Sequence, residues 1–331
     1  MAHSDALTSA QEAAEFRRRR HQRRRQPIPG VTGGAREDDG LYGPDTITWR
    51  VWSKPTAIIA AYRATIVQMM LPPVATGVNA FSTYRSDTLG RARRTGHYFA
   101  AVALGDRRTA TETARFVNAL HRQVSGVEPS TGRVFTADEP DLAMYVHVTS
   151  WQSALAVYER YYGRLSDSDR DAFYTESARG SALVGVPARE APATHAEVRE
   201  YYRDMRPQLW VNLDARAIYD WFMRPQMTWD ALPTLPAWEV IKRLAIPTIP
   251  RWMREATGID QPRSIDVASL PVGAVATRAL EAQVFNPLFR MLLPEAHEIQ
   301  QSALARMREH RAERRRARRA TRGRSAASHH G

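Results

Sequence analysis

Two short patterns carry the side chains best suited to chemistry. In VNALHRQVSG, Val117, Leu120, His121 and Val124 stand at i, i+3, i+4 and i+7, the spacing that gathers side chains on one face of an α-helix. An imidazole thus sits in the middle of an apolar helical stripe. Either it is a core histidine whose nitrogens bond to backbone carbonyls, or its lone pair points at something the protein binds, a metal above all. In RARRT, Arg91 and Thr95 stand at i and i+4, so a guanidinium and a hydroxyl share one helix face. Arg93 falls off that face and reads as solvated basic charge.

The remaining composition narrows the metal chemistry. The 331 residues include no cysteine, which excludes disulfides, thiolate-ligated haem, cysteine zinc sites and iron–sulfur clusters. His97, His121, His147 and His195 fall in apolar surroundings, but no pair has the HExxH spacing, and no Glu-x-x-His recurs as a di-iron bundle requires. A cage built by the protein alone is therefore not indicated. Haem differs, because it brings four nitrogens of its own and asks the protein for one axial ligand. His121 fits that role, with Gly126 soon after it to let the chain pass close to a flat ligand. Arg91 and Thr95 then read equally as a pair suited to a haem propionate or to orienting dioxygen, or as part of a solvated basic face. His147, one turn before Trp151, reads as a histidine bonded within the core. No phosphate-binding loop occurs, since VTGGAREDDG lacks the Lys-Ser/Thr of a P-loop, and no G-x-S-x-G nucleophile elbow is present.

The elements that must hold these residues read as helices. Ile58, Tyr62, Ile66 and Met69 share a face of a helix ending at Leu71, before Pro72 and Pro73. GRARRTGHYFAAVALG and ATETARFVNALHRQV are the next two. The clearest carries Met144, Val148, Trp151, Leu155, Tyr158 and Tyr162 at alternating steps of four and three, with Pro140 in its first turn and Asp138 beside the cap. Ser166 with Asp169, and Thr194 with Glu197, are capping-box patterns opening two more. Asp214 to Met223, Ala237 to Leu244, Pro250 to Thr257 and Gly273 to Met291 follow, and from Glu295 a polar helix runs into an arginine-rich end. Few runs alternate as strands do, so the fold class is all-α.

The formal net charge of +12 is not spread evenly. Seven arginines lie between Arg17 and Arg25 and ten between Arg306 and Arg324, and residues 26–305 are neutral overall. The expected organisation is a disordered Arg/Gly-rich tail over 1–40, one all-α domain over 41–300 and an Arg-rich helical to disordered tail over 301–331. Of the 47 basic residues only Lys54 and Lys242 are lysines. RRRRHQRRR is followed by QPIPGVTGGAREDDG, which lacks the apolar core of an export signal, and AIIAAYRATIVQMML is too short to cross a bilayer. A cytoplasmic protein is expected, with peripheral membrane contact through the basic tails. A rival function, a binding protein whose tails engage nucleic acid or an anionic membrane over a haem-free helical scaffold, follows from charge alone.

With those residues in place, the sequence resembles the haem oxygenase domain shared by fungal MpaB-type oxygenases and the bacterial rubber oxygenase called latex clearing protein. The resemblance rests on GPDTITWRVW, LPPVATGVNAFS, GRARRTGHYFAAVALG, NALHRQVSG, FTADEPDLAMYVHVTSWQSALAVYERYY and LVGVPAREAPATHAEVREYYRDM, covering about Gly43 to Met205. It implies a globin-like multi-helix bundle around a haem b pocket, with His121 the proximal iron ligand and Arg91 and Thr95 beside the haem. It also implies an oxygenase acting with dioxygen on a small lipophilic substrate, isoprenoid or secondary-metabolite in character, with no specific nucleic acid as partner. Tyr62, Met69, Met70, Trp151 and Tyr158 are side chains that could wall the substrate, although residues of this kind are more often simply core. Rubber-cleaving relatives carry a lysine where this chain has Arg94, and Asp87 is the only acid close upstream of Arg91, so polyisoprene is a poor substrate candidate.

Overall fold

A computed structural model describes residues 36–226, 229, 232–281 and 290–327. The first arginine run lies outside them. In chain order the helices are α1 (Ile47–Trp52), α2 (Ala57–Gln68), α3 (Pro72–Phe81), α4 (Thr88–Leu104) and α5 (Arg107–His121). A short antiparallel ribbon follows, β1 (Ser125–Val127) with β2 (Val134–Thr136). Then come α6 (Pro140–Tyr162), α7 (Asp167–Ser181), α8 (His195–Met205), α9 (Leu213–Met223), α10 (Leu235–Ala245), α11 (Arg251–Thr257), α12 (Arg263–Glu281) and α13 (Pro294–Ala327). The fold is all-α, as the periodicities require.

Local chemistry starts most of these helices where the sequence says it should. Ser166 accepts from the Asp169 N–H at 3.1 Å and Thr194 from the Glu197 N–H at 3.1 Å, each satisfying a first-turn donor that the helix itself cannot pair. Asp87 and Asp106 cap α4 and α5 in the same way. Two helices escaped the sequence reading, α3 and the short α1, which Thr46 caps. Pro72 and Pro73 were read as a stop, yet they occupy the first turn of α3, where a missing N–H costs nothing and a fixed φ is already helical.

The core forms around α6, which packs most extensively on α2. Trp151 of α6 is buried and lies 5.5 Å, centroid to centroid, from both Tyr42 and Trp52, and 5.3 Å from Phe173. Two tyrosines finish the last turn of α2: Tyr145 donates to the Val67 carbonyl at 2.7 Å and Tyr219 to that of Ile66 at 3.0 Å. Tyr62, Met69, Met70, Trp151 and Tyr158, read as able to wall a substrate, are instead all buried in the core. Tyr62 packs on Phe222 and Trp238, whereas Trp151 packs on Tyr42, Trp52 and Phe173, and such contacts leave little free surface.

Both ends of the described chain are tied to the bundle. Arg36 lies over the Trp49 ring at 5.0 Å and bonds Ser302 at 3.3 Å. The helix read as starting at Glu295 runs unbroken from Pro294 to Ala327, packs along α4, and buries Ala303 and Met307 in the core. Its small and apolar side chains, at i and i+4, carry the domain past residue 301. Arg93, read as solvated charge, instead donates to the Leu292 carbonyl at 3.0 Å and the Met291 carbonyl at 2.9 Å, just before α13.

Candidate active site

Helix α4 delivers Arg91 and Thr95 to one face, and the structure joins them directly. The Arg91 guanidinium donates through Nη1 to Thr95 Oγ1, and the same hydroxyl donates back to the Arg91 carbonyl at 2.9 Å. Arg91 Nε reaches Ser82 Oγ at 3.2 Å. No carboxylate pairs with Arg91 among the described residues. The side chain is exposed, yet burial among protein atoms, followed by the repulsion of Arg94, brings its pKa down to about 10. Arg91 is thus reached by solvent on one side and crowded by protein atoms on the other. Tyr98, at i+7 from Arg91 on the same face, shows the same combination: it is half-buried, and burial pushes its hydroxyl pKa up. Tyr98 was not singled out from the sequence, although its spacing from Arg91 and Thr95 was the available signal.

Helix α5 brings His121 near Arg91, close enough for the guanidinium to act on its imidazole. Burial, then the nearby Arg91 guanidinium, hold the imidazole pKa below its usual value against the opposing effect of Asp138, so the ring is neutral at pH 7 and keeps a lone pair. Its nitrogens make no hydrogen bond to a described residue. Val117, Leu120 and Val124, the rest of the stripe, are only half-buried, and none joins the core. Val124 lies past the end of α5 and sits against Gly77 of α3. Two expectations need correction. His121 is the last residue of α5, not mid-helix, because the chain turns at once into β1. Gly126 makes room for a side chain instead of a flat ligand, since a Cβ there would lie 3.3 Å from the Phe135 ring of β2.

The other candidates sort themselves by their partners. His147 is buried, with Nε2 3.1 Å from the Ser177 carbonyl, which makes it the core histidine expected. His97 is buried with Nε2 3.3 Å from Thr113 Oγ1. His195 starts α8 and stacks on Tyr174 at 6.1 Å. Asp87 is committed to structure: it accepts from the Gly90 N–H at 3.2 Å and pairs with Arg94 at 3.0 Å. Arg94 also donates to Thr83 at 2.8 Å, which turns it away from Arg91's role.

A network that sequence reasoning missed holds the segment after His121 in place. Asn212, the α9 cap, donates to Glu128 at 3.0 Å in the β1–β2 turn and to Thr76 at 3.3 Å. Thr76 and Asn79 of α3 both donate to Asp214 at 2.7 Å. The partners lie 84 to 138 residues apart, and no local pattern announces such pairings.

The fold is an all-α bundle in which His121 lies near the Arg91–Thr95 pair. The chain matches the catalytic domain family of the ER-bound oxygenase mpaB/B' and rubber oxygenase over residues 49–282, and it belongs to that family. It therefore carries an oxygenase catalytic domain. Among curated proteins it is 27% identical over 143 residues to the uncharacterized proteins Mb2261 of Mycobacterium bovis and Rv2237 of Mycobacterium tuberculosis, a match covering 42% of this chain and 55% of theirs. The chain thus spans about half the length of those relatives. No solved structure matches.

Proposed function

We propose that the protein is a haem b-dependent oxygenase acting with dioxygen on a small lipophilic substrate. The observation that carries this reading is a juxtaposition: a neutral imidazole near an arginine, neither paired with a carboxylate among the described residues, beside apolar side chains that stay out of the core. In this reading His121 holds the iron, which needs the neutral form of the ring. Arg91 pairs with a propionate, the carboxylate its guanidinium lacks. Thr95 fixes that guanidinium by accepting from Nη1. The half-buried Val117, Leu120 and Val124 exclude water and give an apolar substrate its wall. When bound, haem supplies the redox centre at which dioxygen is activated. One axial histidine is enough for it, so the lack of any three-residue metal-binding group among the described residues does not bear on the choice.

Among the described residues no single helix is long and apolar enough to cross a membrane. A cytoplasmic location with peripheral membrane contact through the arginine-rich ends is part of the same proposal. The test is the absorption spectrum of protein expressed with haem supplied, read with reduction and with carbon monoxide. A stoichiometric Soret band lost in His121→Ala, with the fold retained by circular dichroism, supports the assignment. Equal haem content in wild type and His121→Ala sinks it. A folded wild type that takes up no haem shifts attention to polyanion binding by the arginine segments.

A further inference from the structure

Helix α8 carries a second concentration of positive charge, away from both arginine-rich ends. Arg199, Tyr202, Arg203 and Arg206 stand at i, i+3, i+4 and i+7, on one face that runs from α8 into the turn after it. Cations one turn apart repel, yet none of the three arginines makes an ion pair with a described residue. Acids are available on the same helix, at Glu200 and Asp204, but their positions place them on other faces. The face is therefore uniformly cationic.

That face closes a cavity of about 220 Å³ whose opposite wall includes Arg63, Gln152 and Trp252. Arg63 is the informative member, because it is one of the largest fully buried side chains in the molecule. Nε donates to the Thr248 carbonyl at 3.1 Å, and Nη1 to Gln152 at 2.7 Å and Ser153 at 2.6 Å. All three acceptors are neutral. Nη2 makes no hydrogen bond to a described residue, and the groups that act electrostatically on Arg63 are tyrosines, with no carboxylate among them. The Tyr202 hydroxyl, on the same cavity, is buried without a hydrogen-bond partner. At the mouth, Arg206 is steadied by lying over the Trp252 ring at 4.8 Å.

A buried cation without a counter-ion is costly unless something supplies the charge, and here the unpaired guanidinium borders an open cavity ringed by three more. Four guanidiniums and no acid favour an anion carrying more than one charge. The planar fork of arginine suits the oxygens of a phosphoryl group. The cavity is smaller than the roughly 300–1,000 Å³ of sites that enclose a whole drug-sized ligand, so it fits a head group. We infer that this cavity binds a phosphoryl group, borne either by a free phosphorylated small molecule or by a phospholipid head group, with Arg63 at the floor and Arg203 and Arg206 at the mouth. Its lining includes none of Arg91, Thr95 and His121, so the inference stands whether or not the protein binds haem.

The full chain is titrated calorimetrically with inorganic phosphate, pyrophosphate and citrate at constant ionic strength, chloride making up the balance. Its sedimentation with phosphatidylcholine vesicles, with and without phosphatidic acid, is measured alongside. The comparison protein is Arg203→Ala/Arg206→Ala, two exposed positions whose loss leaves the core intact and both arginine-rich ends unchanged. The expected result is one-to-one binding of phosphate or pyrophosphate, weakened tenfold or more in the double variant. Sedimentation with phosphatidic acid that depends on the same two arginines identifies a lipid head group as the source, and binding confined to pyrophosphate identifies a free ligand. Three results overturn the inference: phosphate and pyrophosphate no better than chloride with no phosphatidic acid dependence, affinity unchanged in the double variant, or binding of citrate alone.

Discussion

Replacing Glu128 by glutamine tests how the segment beyond His121 is held. Glu128 is fully buried under the β1–β2 turn, and burial by itself would raise its pKa. Hydrogen bonds from Ser130, Asn212 and Thr131 reverse that and bring the carboxyl down to about 2, from an ordinary value of 4.5. The folded protein thus binds this proton less readily than the unfolded chain does. The stabilisation is present in full above pH 4.5 and is lost as pH falls toward 2, and its size is about 3 kcal/mol. About 2 kcal/mol of that is gone by pH 3 on the same linkage. Glutamine keeps the shape but turns an amide N–H2 toward donors, including the Thr131 N–H at 2.9 Å and hydroxyl at 2.7 Å. Urea unfolding followed by tryptophan fluorescence, from pH 7 to pH 3, is expected to show Glu128→Gln about 3 kcal/mol less stable at neutral pH and the gap closing with acid. A gap below about 0.5 kcal/mol at pH 7, or one that stays constant down to pH 3, refutes the account of Glu128 as an ionised anchor.

His147 should produce an acid transition of its own. Burial holds its pKa at about 4 against an ordinary 6.5, so only the unfolded chain takes up the proton between those values and stability falls by about 3 kcal/mol from pH 6.5 to 4. In His147→Gln that part of the pH dependence should vanish, and an unchanged slope in the unfolding midpoint would show the ring is not buried neutral. Gly273→Ala places a Cβ 2.2 Å from the Tyr161 ring, whose hydroxyl is held by the Leu244 carbonyl at 2.6 Å; thermal unfolding should report a loss of about 1–3 kcal/mol. Gly96→Ala meets only ordinary contacts with Leu293 and Ala296 and is expected to be neutral or slightly stabilising, so equal losses at the two glycines would contradict the packing described. Asp87→Ala removes the α4 cap and the Arg94 partner, at a cost of about 1–2 kcal/mol in denaturant unfolding; no change would mean the cap is not used.

The helices were legible because each writes its period and its start signal within a few residues: the Ser166 and Thr194 caps and the stripe from Met144 to Tyr162 needed no tertiary information. Pro72 and Pro73 were ambiguous for the same reason, since a proline pair serves equally to end one helix and to begin the next. The pairing of Arg91 with Thr95 was visible as an i,i+4 relation. Its proximity to His121 was not, because α4 and α5 are related only through packing. Buried status was the least legible property. Tyr62 and Trp151 have the chemistry of a substrate wall, and only the neighbouring helices decide that they are core. Glu128, Asn212 and Arg63 were missed because their meaning lies in partners far along the chain, or in the lack of one.

The contacts that tie the start of the described chain to its last helix make one cooperative latch out of segments more than 260 residues apart. Asp39 pairs with Arg306 at 2.8 Å, and Asp45 receives His310 at 2.6 Å and Arg314 at 2.8 Å. Each pair is partly exposed and individually weak, but they share one opening motion, since neither segment can leave without breaking all three. Amide exchange in residues 36–46 and in the 303–314 part of α13 should accordingly follow a single opening free energy, salt-dependent and lower than that of α6. Because α13 lies along the back of α4, that opening also loosens the helix that aims Arg91 and Thr95. Ionic strength would then tune the rigidity of α4 from the face opposite Arg91 and Thr95.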